Sequence, residues 1–547
     1  MKCLKSKNHF VVAVLAIASF TACKKNEVIS DSAVAAADSA TEAAQRAKRT
    51  PPPPPSTTTT YYISTSGNDA TGTGTSASPW KTLYKATSTV STSGAVIHVN
   101  AGTYTETMTC NLQPGVSIEG DGTTSVVQTT LTGDWTSLLA LHSSSEGVNG
   151  NQHVSNIKFD GQNLSSFYAI TVAGRSNVSI HDITVVNFKE GAVIFGGRAD
   201  NTEAAPGTYA TGNSFYNNTL LNCSRYEGWG RGCFGIGGQD GMLVYNNVIT
   251  QNQRPAGSNG YCVKYTNGGW NKGCKIYGNT FTRAQSAGGD FYFCVELFNT
   301  SGLEVNNNVF NGGALDMNYQ TKGSYAYSVW VHDNQFLQPN VNLTANQSGI
   351  VMEFGSESEI IENNVFSKQN YGISFVPREG NTIKDIVIRK NLMTGIASGV
   401  WGGSYINFND LNSYVVSNVS IYNNTLEYDR ANSFWTGIIL PSAAAGNFSN
   451  INIKNNIIAG AKAAAVGQSG ASSVSSLAIQ YNDVYNSGTA ASIATTGSGY
   501  LLSNNITTVP TYGANYTLVS GSPLINAGVN VGLSFNGTAP DIGYAEF

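Results

Sequence analysis

A six-residue phrase, in which one to three Asn sit between apolar residues, recurs from residue 215 to residue 484. It reads FYNNTL at 215–220, VYNNVI at 244–249, VNNNVF at 305–310, IENNVF at 361–366 and IYNNTL at 421–426. The variants IYGNTF, VHDNQF, IRKNLM, IKNNII and IQYNDV fill the remaining places, so copies lie about 30 residues apart. Self-similarity of that period builds a solenoid, in which each unit buries its apolar face only against its neighbours. The flanking residues are β-branched and aromatic, which suits strands. Asn reaches the left-handed backbone region at little cost, so it suits a tight bend between two strands of one coil. Asn side chains stacked coil on coil can also hydrogen-bond into a ladder. Stripes of period 3.6 are nearly absent, which argues against helices. Only 12% of residues are charged, against about 25% in an average domain. These features predict an all-β chain, a single-stranded parallel β-solenoid.

The N-terminus reads differently. Lys2, Lys5 and Lys7 precede the apolar run FVVAVLAIASF, and Thr21-Ala22-Cys23 follows it. A basic start, a short apolar run and small residues describe a secretory signal over 1–22, too short to span a bilayer. Cys after small residues resembles a bacterial lipobox, with Phe20 where Leu is more usual. That resemblance implies lipidation at Cys23 and a place at the bacterial outer membrane or cell surface. The membrane is then met through the lipid alone. Residues 23–60, rich in Ala, Pro and Thr, cannot form a packed core and read as a tether. Residues 61–547 are the solenoid domain. Residues 1–60 hold eight of the 30 basic groups and four of the 34 acidic ones, which leaves 22 against 30 and a net of −8 in the domain. Such a field disfavours nucleic acid as a partner. A monomer is expected.

The Asn phrases, the entry YYISTSGNDATGTGTSASPWKTLYKATSTV with AVIHVNAGTYTET, and the closing SPLINAG (522–528) and PDIGYAEF (540–547) resemble the right-handed parallel β-helix proteins, the pectate-lyase-like superfamily. The resemblance covers roughly 61–547. It implies a right-handed parallel β-helix with a short amphipathic capping helix near 80–90. The superfamily hosts lyases, hydrolases, epimerases and binding proteins, so the fold alone does not choose an activity.

An apolar strand precedes each Asn phrase. Aligning these strands on the Asn turns stacks YCVKYTN (261–267), FCVELFN (293–299), ALDMNYQ (314–320), IVMEFGS (350–356), GISFVPR (372–378) and YINFNDL (405–411). Lys264, Glu296, Asp316, Glu353, Ser374 and Asn407 then fall in one outward column. Val263, Tyr265, Val295, Leu297, Leu315 and Val351 alternate to the interior. Solvated strand faces carry charges routinely, but four charged groups on successive coils are unusual in a chain this poor in charge. Like charges stacked about 4.8 Å apart repel, so at least one carboxyl should hold its proton more tightly. Carboxylates on adjacent coils suit the separation of about 5–5.5 Å in retaining glycosidases, and those two coils apart suit the inverting range of about 6.5–9.5 Å. Glu296 with Glu353 is therefore the first candidate acid and base pair, with Asp316 next. Lys264 permits another reaction, removal of the proton α to a uronic carboxylate with Arg231, Arg254, Arg283 or Arg378 neutralising that group; many relatives in the superfamily are lyases of this type.

Trp229, Trp270, Trp330, Tyr261 and Tyr292 lie near the column in sequence and are candidate sugar platforms, with Arg231, Arg378 and Asn407 as further substrate-binding residues. The loops 223–232, 251–260 and 266–273 are candidate cleft walls. Cys262 and Cys294 each precede a charged residue by two positions, so both are expected outward, as a cross-coil disulfide or a thiol ladder extended by Cys233. His142, His153, His181 and His332 read as structural. No zinc, P-loop, GxSxG or EF-hand signature occurs, and no cofactor or metal is called for. The stretch GRADNTEAAPG offers carboxylate oxygens of the kind Ca²⁺ takes. The leading expectation is a cell-surface glycoside hydrolase acting on a polysaccharide. A polysaccharide lyase using Lys264 is the runner-up, and a non-catalytic glycan-binding or adhesin solenoid is the third reading.

Overall fold

The computed structural model describes residues 58–163, 166–200, 202–224, 232–251, 260–283, 293–318, 326–338, 348–377, 381–395, 403–408, 415–427, 436–441, 447–468, 474–488, 491–495 and 497–547. Cys23 and the segments read as signal and tether lie outside them up to residue 57, as do Trp229, Arg231, Arg254, Tyr292 and Arg378.

Among the described residues the chain is a right-handed parallel β-helix. Its strands form two parallel sheets, of 32 and 14 strands. The smaller sheet takes one strand from each coil, among them Val263–Tyr265, Phe293–Phe298, Ala314–Asn318, Ser348–Glu353, Tyr371–Val376 and Ser404–Phe408. The larger sheet takes the two strands on either side of each Asn phrase, as in Ser214–Tyr216 and Thr219–Leu221. The helix Leu83–Thr89 covers the first coil as expected, capped by the Thr82 side chain and burying Leu83, Ala86 and Thr87.

The Asn repeat does two jobs. The first turn position is left-handed: φ is 57° at Asn217, 55° at Asn246 and 53° at Asn307. The next Asn points inward and ladders. Asn218 donates through Nδ2 to Asn247 Oδ1 at 3.0 Å, Asn247 to Asn279 at 2.9 Å, Asn279 to Asn308 at 2.9 Å and Asn308 to Asn334 at 3.0 Å. The same bond continues through Asn364, Asn391, Asn424, Asn456 and Asn482 to Asn505. Each of these buried amides also bonds backbone carbonyls, which satisfies groups that would otherwise be stranded in the core. Beside the ladder Phe310, Phe336 and Phe366 stack at 4.6 and 4.7 Å between ring centroids, and Phe281 lies tilted against Phe310 at 5.2 Å.

The strands of the smaller sheet depart from simple alternation. Phe293 pairs with Ala314 while Val295 pairs with Leu315, so Cys294 is a bulge. At the start of these strands two consecutive side chains enter the core, as do Leu138 with Leu139 and Cys294 with Val295. Cys233, Cys262 and Cys294 therefore point inward and are buried with Phe234, Val263 and Val295. The outward cysteine ladder is corrected on this ground. All six described cysteines are buried thiols, so no disulfide forms among them.

Candidate functional site

The outer face of the smaller sheet holds the predicted charge column, with one change. Lys264 pairs with Glu296, and Glu296 with Asp316, as the sequence indicates. Asp316 then pairs with Val351, Val351 with Ser374, and Ser374 with Asn407. Glu353 lies two residues further along its strand, opposite Val376. Glu353 is thus corrected out of the column. Val351, expected inside, takes its place and packs with Tyr261, Phe293, Ala314 and Val376 in an apolar cluster separate from the main core. Tyr265 also leaves its expected inward course and stacks on Phe298 at 3.9 Å.

The column is outward from the sheet yet buried. Glu296 is 3% exposed and Asp316 0%, and Lys264 and Glu353 are buried with them. Lys264 Nζ sits 3.0 Å from Glu296 Oε2 and 4.3 Å from the centre of the Tyr261 ring. Burial raises the Glu296 carboxyl above its usual range; the Lys264 ammonium opposes that rise, and Glu353 adds to it. Burial also drives the Tyr261 phenol far up, with Glu296 and Asp316 adding to the shift and Arg283 opposing it. Arg283 is itself buried, and its Nε donates to the Gly260 carbonyl at 3.2 Å. Lys264, Glu296, Asp316, Glu353, Tyr261 and Arg283 are thus one network, in which removing any charge would strand its partner.

An open pocket of ≈ 380 Å³ adjoins this network on the same sheet face. Its walls include Trp135, His142, Tyr168, Thr171, Thr266 and Asn267. Thr171, Ile194, Gly235 and Lys264 are successive members of one column, and Thr266 is two residues past Lys264 on its own chain segment. Trp135 is 64% exposed. His142 Nε2 shares a 2.7 Å hydrogen bond with Thr171 Oγ1. Burial, and then the Arg175 guanidinium, lower the His142 pKa, which favours the neutral ring. Sequence reasoning set His142 aside as structural and did not single out Trp135 or Tyr168, whose coils lack the Asn phrase that anchored the alignment. Thr266 and Asn267 belong to the loop 266–273, which was expected to wall a cleft.

Other candidates go elsewhere. Trp330 starts a strand of the larger sheet, Trp330–His332, and is corrected out of this site. Trp270 lies in the turn after Val263–Tyr265, where its Nε1 donates to the Glu203 carbonyl at 2.8 Å. Asn407 keeps its column but stands three coils beyond Asp316. In the stretch GRADNTEAAPG the Asp200 carboxylate is held by the Arg198 guanidinium, with Nε donating at 2.6 Å, so its oxygens are already committed. No group of three or more metal-ligating side chains occurs among the described residues.

The fold and this sheet face define the class, a right-handed parallel β-helix with a polar outer groove. Residues 207–384 match the family described as a right handed beta helix region, and residues 65–282 match one described as a protein of unknown function, DUF1565. No curated protein matches the sequence. Among solved structures, the PL6 family alginate lyase AlyGC is 16% identical with a TM-score of 0.49, over 81% of this chain and 55% of that one. A DFA-IIIase from Arthrobacter chlorophenolicus A6, without its lid, is 16% identical with a TM-score of 0.40, over 61% and 84%. The pectate lyase Pel9A is 15% identical with a TM-score of 0.30, over 90% and 97%. Likenesses at this level carry no activity across.

Proposed function

We propose that the chain is a polysaccharide-cleaving enzyme, a glycoside hydrolase whose site is the outer face of the smaller sheet. One observation carries the reading: a buried pair of carboxylates on adjacent coils lies on the same face as an open pocket with an exposed Trp. Glu296, whose proton is held more tightly than usual, is the general acid. Asp316 is its partner across one coil, at a backbone spacing of about 4.8 Å, which favours the retaining geometry over the inverting one. Glu353, displaced along its strand, acts on Glu296 through charge only. Trp135 and Tyr168 offer ring faces to sugar C–H groups. Lys264 is committed to Glu296 at 3.0 Å, so its role as a lyase base falls behind. Glu296 and Asp316 are buried, so contact with substrate requires that face to open. That burial is the observation favouring the second reading, in which the face binds glycan at the open pocket without cutting it.

Digestion of a broad glycan panel tests both readings. New reducing ends without absorbance at 235 nm support hydrolysis, and absorbance at 235 nm supports the lyase. Glu296→Gln and Asp316→Asn should each lower the rate by about 10²-fold or more. Cleavage that survives both substitutions overturns the site, and binding without cleavage selects the second reading. Lipid attachment at Cys23 belongs to the same proposal; labelled palmitate should enter the wild-type chain and not Cys23→Ala.

A further inference from the structure

Trp330, removed from the sheet-face site, presents a surface of its own. It is 42% exposed. Exposed indoles are usually free to move, but this one is fixed on two sides. One ring face lies on the His332 imidazole at 3.8 Å between centroids, and Nε1 donates to Glu362 Oε1 at 2.9 Å. Glu362 is held in turn by Arg389 Nε at 2.6 Å, and His332 by Asp333 at 2.7 Å. The neighbouring Lys275 and Glu304 close on each other at 2.6 Å. The charges around the indole are therefore spent in pairs, and its free face is set in a rim of donors and acceptors. A neutral pyranose matches that arrangement, with C–H groups on the ring face and hydroxyls on the rim. An ionic ligand finds the charges around the indole already paired.

The surface continues into a cleft. Asn363 follows Glu362 in the chain and Lys390 follows Arg389, and both turn residues line a cavity of ≈ 460 Å³. Its far wall is the C-terminal segment, through Phe535, Asn536 and Tyr544. That segment is tied to the Asn corner: Asn423 Nδ2 donates to the Asp541 carbonyl at 3.1 Å, and the Tyr544 N–H donates to Thr425 Oγ1 at 3.1 Å. Cavities of about 300–1,000 Å³ accept small ligands.

We propose that the Trp330 platform and the adjoining C-terminal cleft form a second binding site, for a neutral hexopyranose chain, on a sheet separate from the one that carries Lys264 and Glu296. This site grips polysaccharide and does not cut it. The ligand class rests on the glycan reading of the protein; the site does not depend on catalysis at Glu296.

Isothermal titration of the full chain with cellohexaose, mannohexaose and chitohexaose, and with hexagalacturonate as the charged comparison, tests the proposal. At least one neutral hexaose should bind more tightly than the charged one. Trp330→Ala should weaken that binding about tenfold or more, and Trp330→Phe should keep it within a few-fold. Trp330→Ala should keep the fold, read as an unchanged circular-dichroism spectrum, and should leave the cleavage rate on short oligosaccharides unchanged. Three results would overturn the proposal: no neutral hexaose binds, Trp330→Ala binds as wild type, or binding is lost with Trp135→Ala alone. Failure of cleavage at the sheet face, with Trp330-dependent binding intact, would strike the hydrolase reading and leave this one standing.

Discussion

Glu359 is a carboxyl where the β-helix should have an aliphatic side chain. It shares a strand side with the core residue Ile361, two residues on, and pairs with the core residue Ile386 on the next coil. It is fully buried. Burial raises its carboxyl from the usual 4.5 to about 8, with the Ser356 hydroxyl opposing that rise. The sign follows from linkage. Below pH 4.5 the group is protonated in both the folded and the unfolded chain, and its titration costs nothing. Between 4.5 and 8 the unfolded chain loses the proton and the folded chain keeps it, so stability falls by about 1.4 kcal/mol per pH unit. Above pH 8 the loss levels off at about 5 kcal/mol, an order-of-magnitude figure. Glu359→Gln keeps the shape and removes the titration. Urea unfolding of wild type and Glu359→Gln at pH 4.5, 6.5 and 8.5 isolates the effect, because other groups cancel in the difference. The variant should match wild type at pH 4.5 to within about 1–2 kcal/mol and gain steadily above it. Parallel stability curves for the two proteins across this range would refute the reasoning.

Other perturbations test the ladder, the ion network and the thiols. Asn308→Ala removes an amide that donates to the Ile276 carbonyl at 2.8 Å and to Asn334 at 3.0 Å, and that accepts from Asn279. Several buried partners are left unsatisfied, so denaturant unfolding should show a loss of roughly 2–5 kcal/mol; a change below measurement error would mean the ladder is decorative. Lys264→Met removes the cation that opposes protonation of Glu296, so the variant should lose stability, by at most about 3–5 kcal/mol, and much of the loss should be recovered in Lys264→Met with Glu296→Leu. Equal losses in the single and double variants would show that the two groups are not coupled. Cys110, Cys223, Cys233, Cys262, Cys274 and Cys294 should resist a thiol reagent in the folded domain and all react in denaturant; a disulfide among them in non-reducing peptide mapping would contradict their burial as thiols.

The sequence by itself determined the architecture. Period, turn chemistry and strand composition are local properties repeated in every coil, and each copy corroborates the others. The left-handed turn position and the inward Asn after it were legible because only a few residue types satisfy that backbone and that buried amide. The capping helix was legible for the same local reason. The neighbours Lys264, Glu296 and Asp316 were legible because each is the one charged residue in the short apolar strand of its coil, and the strand pairing agrees.

The tertiary structure decided the rest. Glu353 missed the column because loops of unequal length separate its strand from the Asn turns, and core packing rather than residue count sets the register there. Cys262 and Cys294 turned inward because two consecutive side chains enter the core there, Cys262 with Val263 and Cys294 with Val295, which breaks the period of two on which the expectation rested. The column proved buried, and an apolar cluster of Tyr261, Phe293, Ala314, Val351 and Val376 assembles on that face from successive coils. Trp330 went to the other sheet, and Trp135, His142 and Thr171 met in one pocket, because a solenoid places residues side by side by coil and face. Those two coordinates appear only when every coil has been wound.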